Sequence, residues 1–176
     1  MSFLARLFKP QPDPREALRP LWHRVVELSR EPALYRDDGV ADTVAGRFDM
    51  IAAILALVML RMERDRVLAA EAALLTELFV ADMDGQLRET GVGDLVVGKH
   101  VGKLVSVLGG RLGAFREALA GGPNDEGGAM FEAALERNTT MADARSLPDL
   151  ARHLREFYDK LSALDSKRLL AGEFTL

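Results

Sequence analysis

An eleven-residue run, Met50-Ile-Ala-Ala-Ile-Leu-Ala-Leu-Val-Met-Leu60, carries no charge and is closed at each end by one, Asp49 and Arg61. A bilayer span needs about 20 such residues, so the run is too short to cross a membrane. It reads instead as a core helix, apolar on every side and stable only when other elements wrap it. The rest of the chain supplies the wrapping. Apolar residues recur at three- and four-residue steps, and no stretch of useful length alternates as a strand would. The pattern predicts an all-α fold, a single domain of about six to seven helices joined by short loops. At 176 residues the chain is long enough to bury about two thirds of its unfolded surface.

Punctuation along the chain sets the expected elements. Residues 1–14 form an N-terminal amphipathic piece and a Pro-rich linker, Pro10-Gln-Pro-Asp-Pro14; residues 15–176 form the helical domain. Asp13 is placed to cap a helix running to about Arg30, with Pro14 at its first position, Glu16 completing a capping box and Pro20 kinking it or resetting its start. Residues 35–41 read as loop. Asp42 reads as the cap of a helix over 43–63, and Asp65 as the cap of one reaching Thr90, stopped by Gly91. A helix over 99–120 follows, then a loop over 121–128 and a short helix over 130–137. Ser146-Leu-Pro-Asp149 reads as a second capping box, opening a helix to about Leu164. Its Leu147, Leu150, Leu154, Phe157 and Leu161 present one face to the core. Phe48, Leu55, Phe79, Met83 and Leu108 are expected in that core.

Charge and composition narrow the function classes. A net charge of −4 argues against a DNA-binding protein. With no cysteine, thiolate metal sites, disulfides and cysteine nucleophiles are excluded. His23, His100 and His153 lack paired ligand spacing, so no metal site is expected. Gly93-Asp-Leu-Val-Val-Gly-Lys-His100 nearly matches a phosphate-binding loop, but His100 stands where a hydroxyl should be and a helix precedes it. No nucleophile elbow is present. The sequence points to neither an enzyme nor a cofactor.

Two constellations remain. Asp82 sits in an apolar arc beside Phe79, and a carboxylate there must be paired or lie at a groove edge. One account bridges it to Arg47 or Lys99, in a polar network of Arg47, Asp49, Asp82 and Asp94; the other makes it the acidic rim of a partner-binding groove. On the following helix, Val101, Val105, Leu108, Leu112, Phe115 and Leu119 make an apolar seam. Gly98, Gly102, Gly109 and Gly113 collect on an adjacent strip. Each glycine costs about 0.8–1 kcal/mol against alanine in a helix. The strip serves either tight packing within the domain or a groove that takes a helix of another protein, with Lys99 and Lys103 at its edge. Near the N-terminus, Phe3, Leu4, Leu7 and Phe8 cluster on one side with Arg6 and Lys9 nearby. They are expected either to rest weakly on an anionic membrane surface or to pack on the domain.

Three blocks carry a resemblance. They are Gly46-Arg-Phe-Asp-Met50 with Leu57-Val-Met-Leu-Arg61; Phe79-x-x-Asp-Met-Asp84 with Leu87-Arg-Glu89 and Gly91-Val-Gly-Asp94; and residues 99–115, with Gly110-Arg111 inside them. Over residues 35–119 the chain resembles the ubiquinol–cytochrome c chaperone family, the assembly factors of respiratory complex III. Leu108-Gly109 stands where the family pattern has an aromatic before the Gly-Arg pair. The resemblance implies an all-helical, non-enzymatic chaperone that binds newly made cytochrome b near the ribosomal exit. Met1–Pro10 has no apolar run long enough for a secretory signal, and the chain begins without a transit peptide, so a bacterial member is expected, in the cytoplasm or at the cytoplasmic face of the inner membrane. The competing expectation is a helical scaffolding or regulatory domain unrelated to cytochrome b.

Overall fold

The computed structural model describes residues 13–89, 97–121 and 125–176, with the side chains of 87–89, 97–100, 125 and 126 outside that description. The expected site residues Phe3, Leu4, Leu7, Phe8 and Asp94 therefore lie outside what is described, as do the Gly91 stop and the side chain of Lys99. The described chain is all-α. Its helices are α1 (Arg19–Leu28), α2 (Pro32–Arg36), α3 (Val44–Glu63), α4 (Ala69–Glu89), α5 (Val97–Ala120), α6 (Asp125–Asn138), α7 (Leu147–Ser162) and α8 (Ser166–Leu170). Three short 3-10 turns, Pro14–Leu18, Arg66–Leu68 and Ala144–Ser146, lead into α1, α4 and α7. Six of the helices have ten residues or more, as the periodicity predicts; α2 and α8 are five-residue turns.

α3 is the axis of the domain. Every residue from Met50 to Val58 is buried, along with Leu60, Arg61 and Met62. It packs against α1, α4, α5 and α7. Leu55, Phe79, Met83 and Leu108 are in the core. Trp22 of α1 meets Phe79 of α4 edge-on, ring centres 6.1 Å apart, an arrangement the aromatic quadrupole favours. The α7 stripe is buried as expected, at Leu147, Leu150, Leu154, Phe157 and Leu161. Arg61 is buried at the end of α3, where its Nε donates to Leu161 O (3.2 Å) and its Nη2 to Leu164 O (2.6 Å). A cation thus meets the carbonyl-rich C-terminus of α7, the end a positive charge stabilises.

Several local expectations are corrected. Asp13 caps the turn Pro14–Leu18 through Arg15 N, but Glu16 pairs with Arg19 and completes no box. Pro20 resets the helix, which starts at Arg19. Part of the expected 35–41 loop belongs to α2. The cap of α3 is Thr43, which accepts from Gly46 N at 3.2 Å, because Asp42 is drawn off by Arg47. Ser146 makes no side-chain cap bond. α6 begins at Asp125, earlier than the glycine-rich stretch suggests. Phe48 is partly buried, lying against the core.

Candidate functional site

The first polar centre is built on Asp49, in the first turns of α3. One carboxylate oxygen accepts from Nη2 of Arg111 on α5. The other accepts from Thr140 N at 2.9 Å and Thr140 Oγ1 at 2.7 Å. Arg111 is 3% exposed; it also donates to the carbonyl of Asn138 at the end of α6 and stacks over Phe48, 5.8 Å from the ring centre. Its Nε and Nη1 are buried with no hydrogen-bond partner among the described residues. Asp49 therefore supplies the counter-charge that makes this cation tolerable inside the domain. The same junction fixes the chain after α6. Ala41 N donates to Thr140 O, and Ala142 N to Gly39 O, around an isolated bridge between Val40 and Met141. Gly39 permits this crossing because its φ is +72° and a Cβ would lie 2.7 Å from the Ser146 side chain.

The expected network of Arg47, Asp49, Asp82 and Asp94 is not what forms. Arg47 is exposed and pairs with Asp42 at 2.6 Å, 5.7 Å from the Tyr35 ring centre. That pairing raises the guanidinium pKa further above its ordinary value, while burial raises that of the Tyr35 hydroxyl. Asp49 belongs to Arg111. Asp82 bridges to neither Arg47 nor any other described residue; it is half-buried on the wall of a groove between α1 and α4. The sequence missed Arg111 and Thr140. A signal for Arg111 was present, because it occupies a core step between Leu108 and Phe115. A cation on a core stripe requires a buried acid.

The second centre is the outward face of α5. The buried seam of this helix runs through Leu104, Leu108, Arg111, Phe115 and Ala118. Val105, expected in the seam, is 46% exposed. The glycine strip lies on the opposite side of the helix. A Cβ built on Gly102, Gly109 or Gly113 meets nothing within 4 Å. Tight packing inside the domain therefore does not explain these three glycines. With Ser106 they leave a nearly bare backbone track along the helix, and Lys103 is exposed on the same helix. Gly46 is the contrast: its Cβ would lie 2.0 Å from Ala41 O, so here the missing side chain is what lets two backbones touch.

Among the described residues, no group of three or more His, Asp or Glu side chains is arranged to hold a metal, and no helix is long and apolar enough to cross a membrane. Comparison with curated proteins gives no match. Among solved structures the chain is similar to the crystal structure of the Cbp3 homolog from Brucella abortus. The TM-score is 0.77 at 28% sequence identity, covering 91% of this chain and 88% of that one. Residues 36–176, from the end of α2 onward, match the family described as Ubiquinol-cytochrome C chaperone. This chain belongs to the ubiquinol–cytochrome c chaperone family.

Proposed function

We propose that this protein is a non-enzymatic assembly chaperone that holds newly made cytochrome b during biogenesis of ubiquinol–cytochrome c reductase, in the cytoplasm where the nascent chain leaves the ribosome and enters the inner membrane. Family membership supports the chaperone role. The observation that carries the client site is the open glycine track on α5. Small residues at Gly102, Ser106, Gly109 and Gly113 follow each other at four-, three- and four-residue steps. This is the spacing at which two helices approach closely along one seam. A client segment destined for the membrane is apolar and itself helix-forming. The track offers it backbone-level contact while Val105 adds apolar surface and Lys103 an exposed cation on the same helix.

The test separates binding from folding. Gly102→Leu and Gly109→Leu place large side chains where a Cβ meets nothing, so both variants should fold. Capture of cytochrome b in a co-purification should be lost, and cytochrome b and complex III should fall to the level of a gene deletion. Full complementation by both variants would reject the α5 face as the client site. Normal complex III in the deletion strain itself would reject the chaperone role.

A further inference from the structure

The groove between α1 and α4 encloses about 780 Å³, and its two walls differ in charge. Along the α1 side stand Arg15, in the turn before that helix, then Arg19, His23 and, just past its end, Arg30. The α4 side contributes Asp82 and Gln86 and, among the described residues, no cation. Glu27 also lines the α1 wall, but Arg24 engages it at 2.7 Å. Arg15 and Arg19 hold Asp13 and Glu16, neighbours in their own turn, at 2.6 and 2.7 Å. Such solvent-accessible pairs are of low net strength and leave the guanidinium groups open to another acceptor. The side chains of His23 and Arg30 make no hydrogen bond or ion pair with a described residue. Between the walls lie Trp22, Val26, Leu78 and Ala81.

An apolar floor with a basic wall on one side and a carboxylate on the other is complementary to an amphipathic helix that carries acids along one edge. Arg19 and His23 are one turn apart, about 6 Å, and Arg30 follows about 10 Å further on. These are steps at which a helix repeats an edge, so acids at i, i+4 and i+11 of a facing helix meet all three. We propose that this groove docks an acidic-edged amphipathic helix of a partner protein, on residues distinct from those of the α5 track. The tract from Arg19 to Arg30 is about 16 Å long and takes about three turns of the occupant. The unlike walls also fix the direction in which that helix runs. With its apolar face down, only one of the two opposite placements sets its acids against α1 and leaves a donor for Asp82. A helix edged with lysine is refused by the same wall.

The full chain is titrated against two fluorescein-labelled, lactam-stapled amphipathic peptides that share a leucine face. One carries glutamates along one edge, the other lysines at the same positions. Fluorescence anisotropy at low salt should show about tenfold tighter binding of the glutamate peptide, and added salt should narrow the difference. Arg19→Glu with Arg30→Glu should invert the preference; both positions are exposed, and circular dichroism checks the fold. Asp82→Lys, which turns the second wall basic, should widen it. Equal affinity for the two peptides, binding of neither, or a preference that these changes leave unmoved would overturn the proposal. Trp22, the single tryptophan, reports on the floor of the groove. If phosphatidylglycerol vesicles protect it from acrylamide and the glutamate peptide does not, the groove is a lipid site and the proposal fails.

Discussion

Asp49 and Arg111 stand 62 residues apart in the chain and meet inside the domain, the guanidinium 3% and the carboxylate side chain 14% exposed. Removing the acid alone leaves a buried cation with two nitrogens already lacking partners. Asp49→Ala should cost about 3–5 kcal/mol, read from urea denaturation. Replacing both, as Asp49→Leu with Arg111→Leu, should recover a large part of that loss, since well-packed apolar side chains substitute for a buried pair. A cost below about 1 kcal/mol for Asp49→Ala would mean the pair behaves as a surface bridge.

The glycines of α5 and α3 should respond in opposite directions. Gly109→Ala and Gly113→Ala add a methyl group to open space and remove backbone entropy from the unfolded chain. Each should stabilise the protein by about 0.5–1 kcal/mol. Gly46→Ala should destabilise it, because the new Cβ meets the Ala41 carbonyl at 2.0 Å and backbone must move. Thermal melts of the three variants decide this, and a loss of stability at Gly109 or Gly113 would show that the track is packed.

Asp82 should matter little for stability. With no hydrogen bond or ion pair to a described residue, Asp82→Ala should change the unfolding free energy by less than about 0.5 kcal/mol. A drop of several kcal/mol in chemical denaturation would place a hidden cation beside it.

Asp13 offers a pH test at an exposed site. The Arg15 side-chain hydrogen bond, followed by the Arg15 backbone N–H, lowers its pKa to about 2 from an ordinary 3.8. Because the folded value is depressed, the interaction is fully present above the ordinary value and is lost as pH falls through about 2. Carboxyl NMR chemical shifts should titrate with that midpoint, and Arg15→Ala should move it upward. An unchanged midpoint in the variant would separate Asp13 from Arg15.

The helices were readable because each carries a periodic apolar stripe or, in α3, an unbroken apolar run. Caps were less readable, since an acid at a helix start has competing partners. Asp42 is taken by Arg47, leaving Thr43 to cap α3, whereas Asp13 caps its turn as expected and only Glu16, taken by Arg19, fails to complete a box. Of the candidate site, the glycine strip was visible as spacing, but whether it faced in or out depended on the rotation of α5. Val105 and Leu104 exchange roles on a shift of one residue, which periodicity alone does not fix. The Asp49–Arg111 pair was the hardest to see. Sequence distance gives no hint of it; only the presence of arginine on a core stripe does.

The Arg61 contacts have a consequence for the order of synthesis. α3 is made early, yet the carbonyls that receive its buried guanidinium belong to Leu161 and Leu164, about 100 residues later. Until that late segment emerges, the most apolar helix of the chain lacks one of the helices that cover it and the partner for its terminal charge. A chain stalled or truncated before α7 would display a sticky, uncapped helix to its surroundings. By this logic the chain is itself exposed until the last part of its own translation.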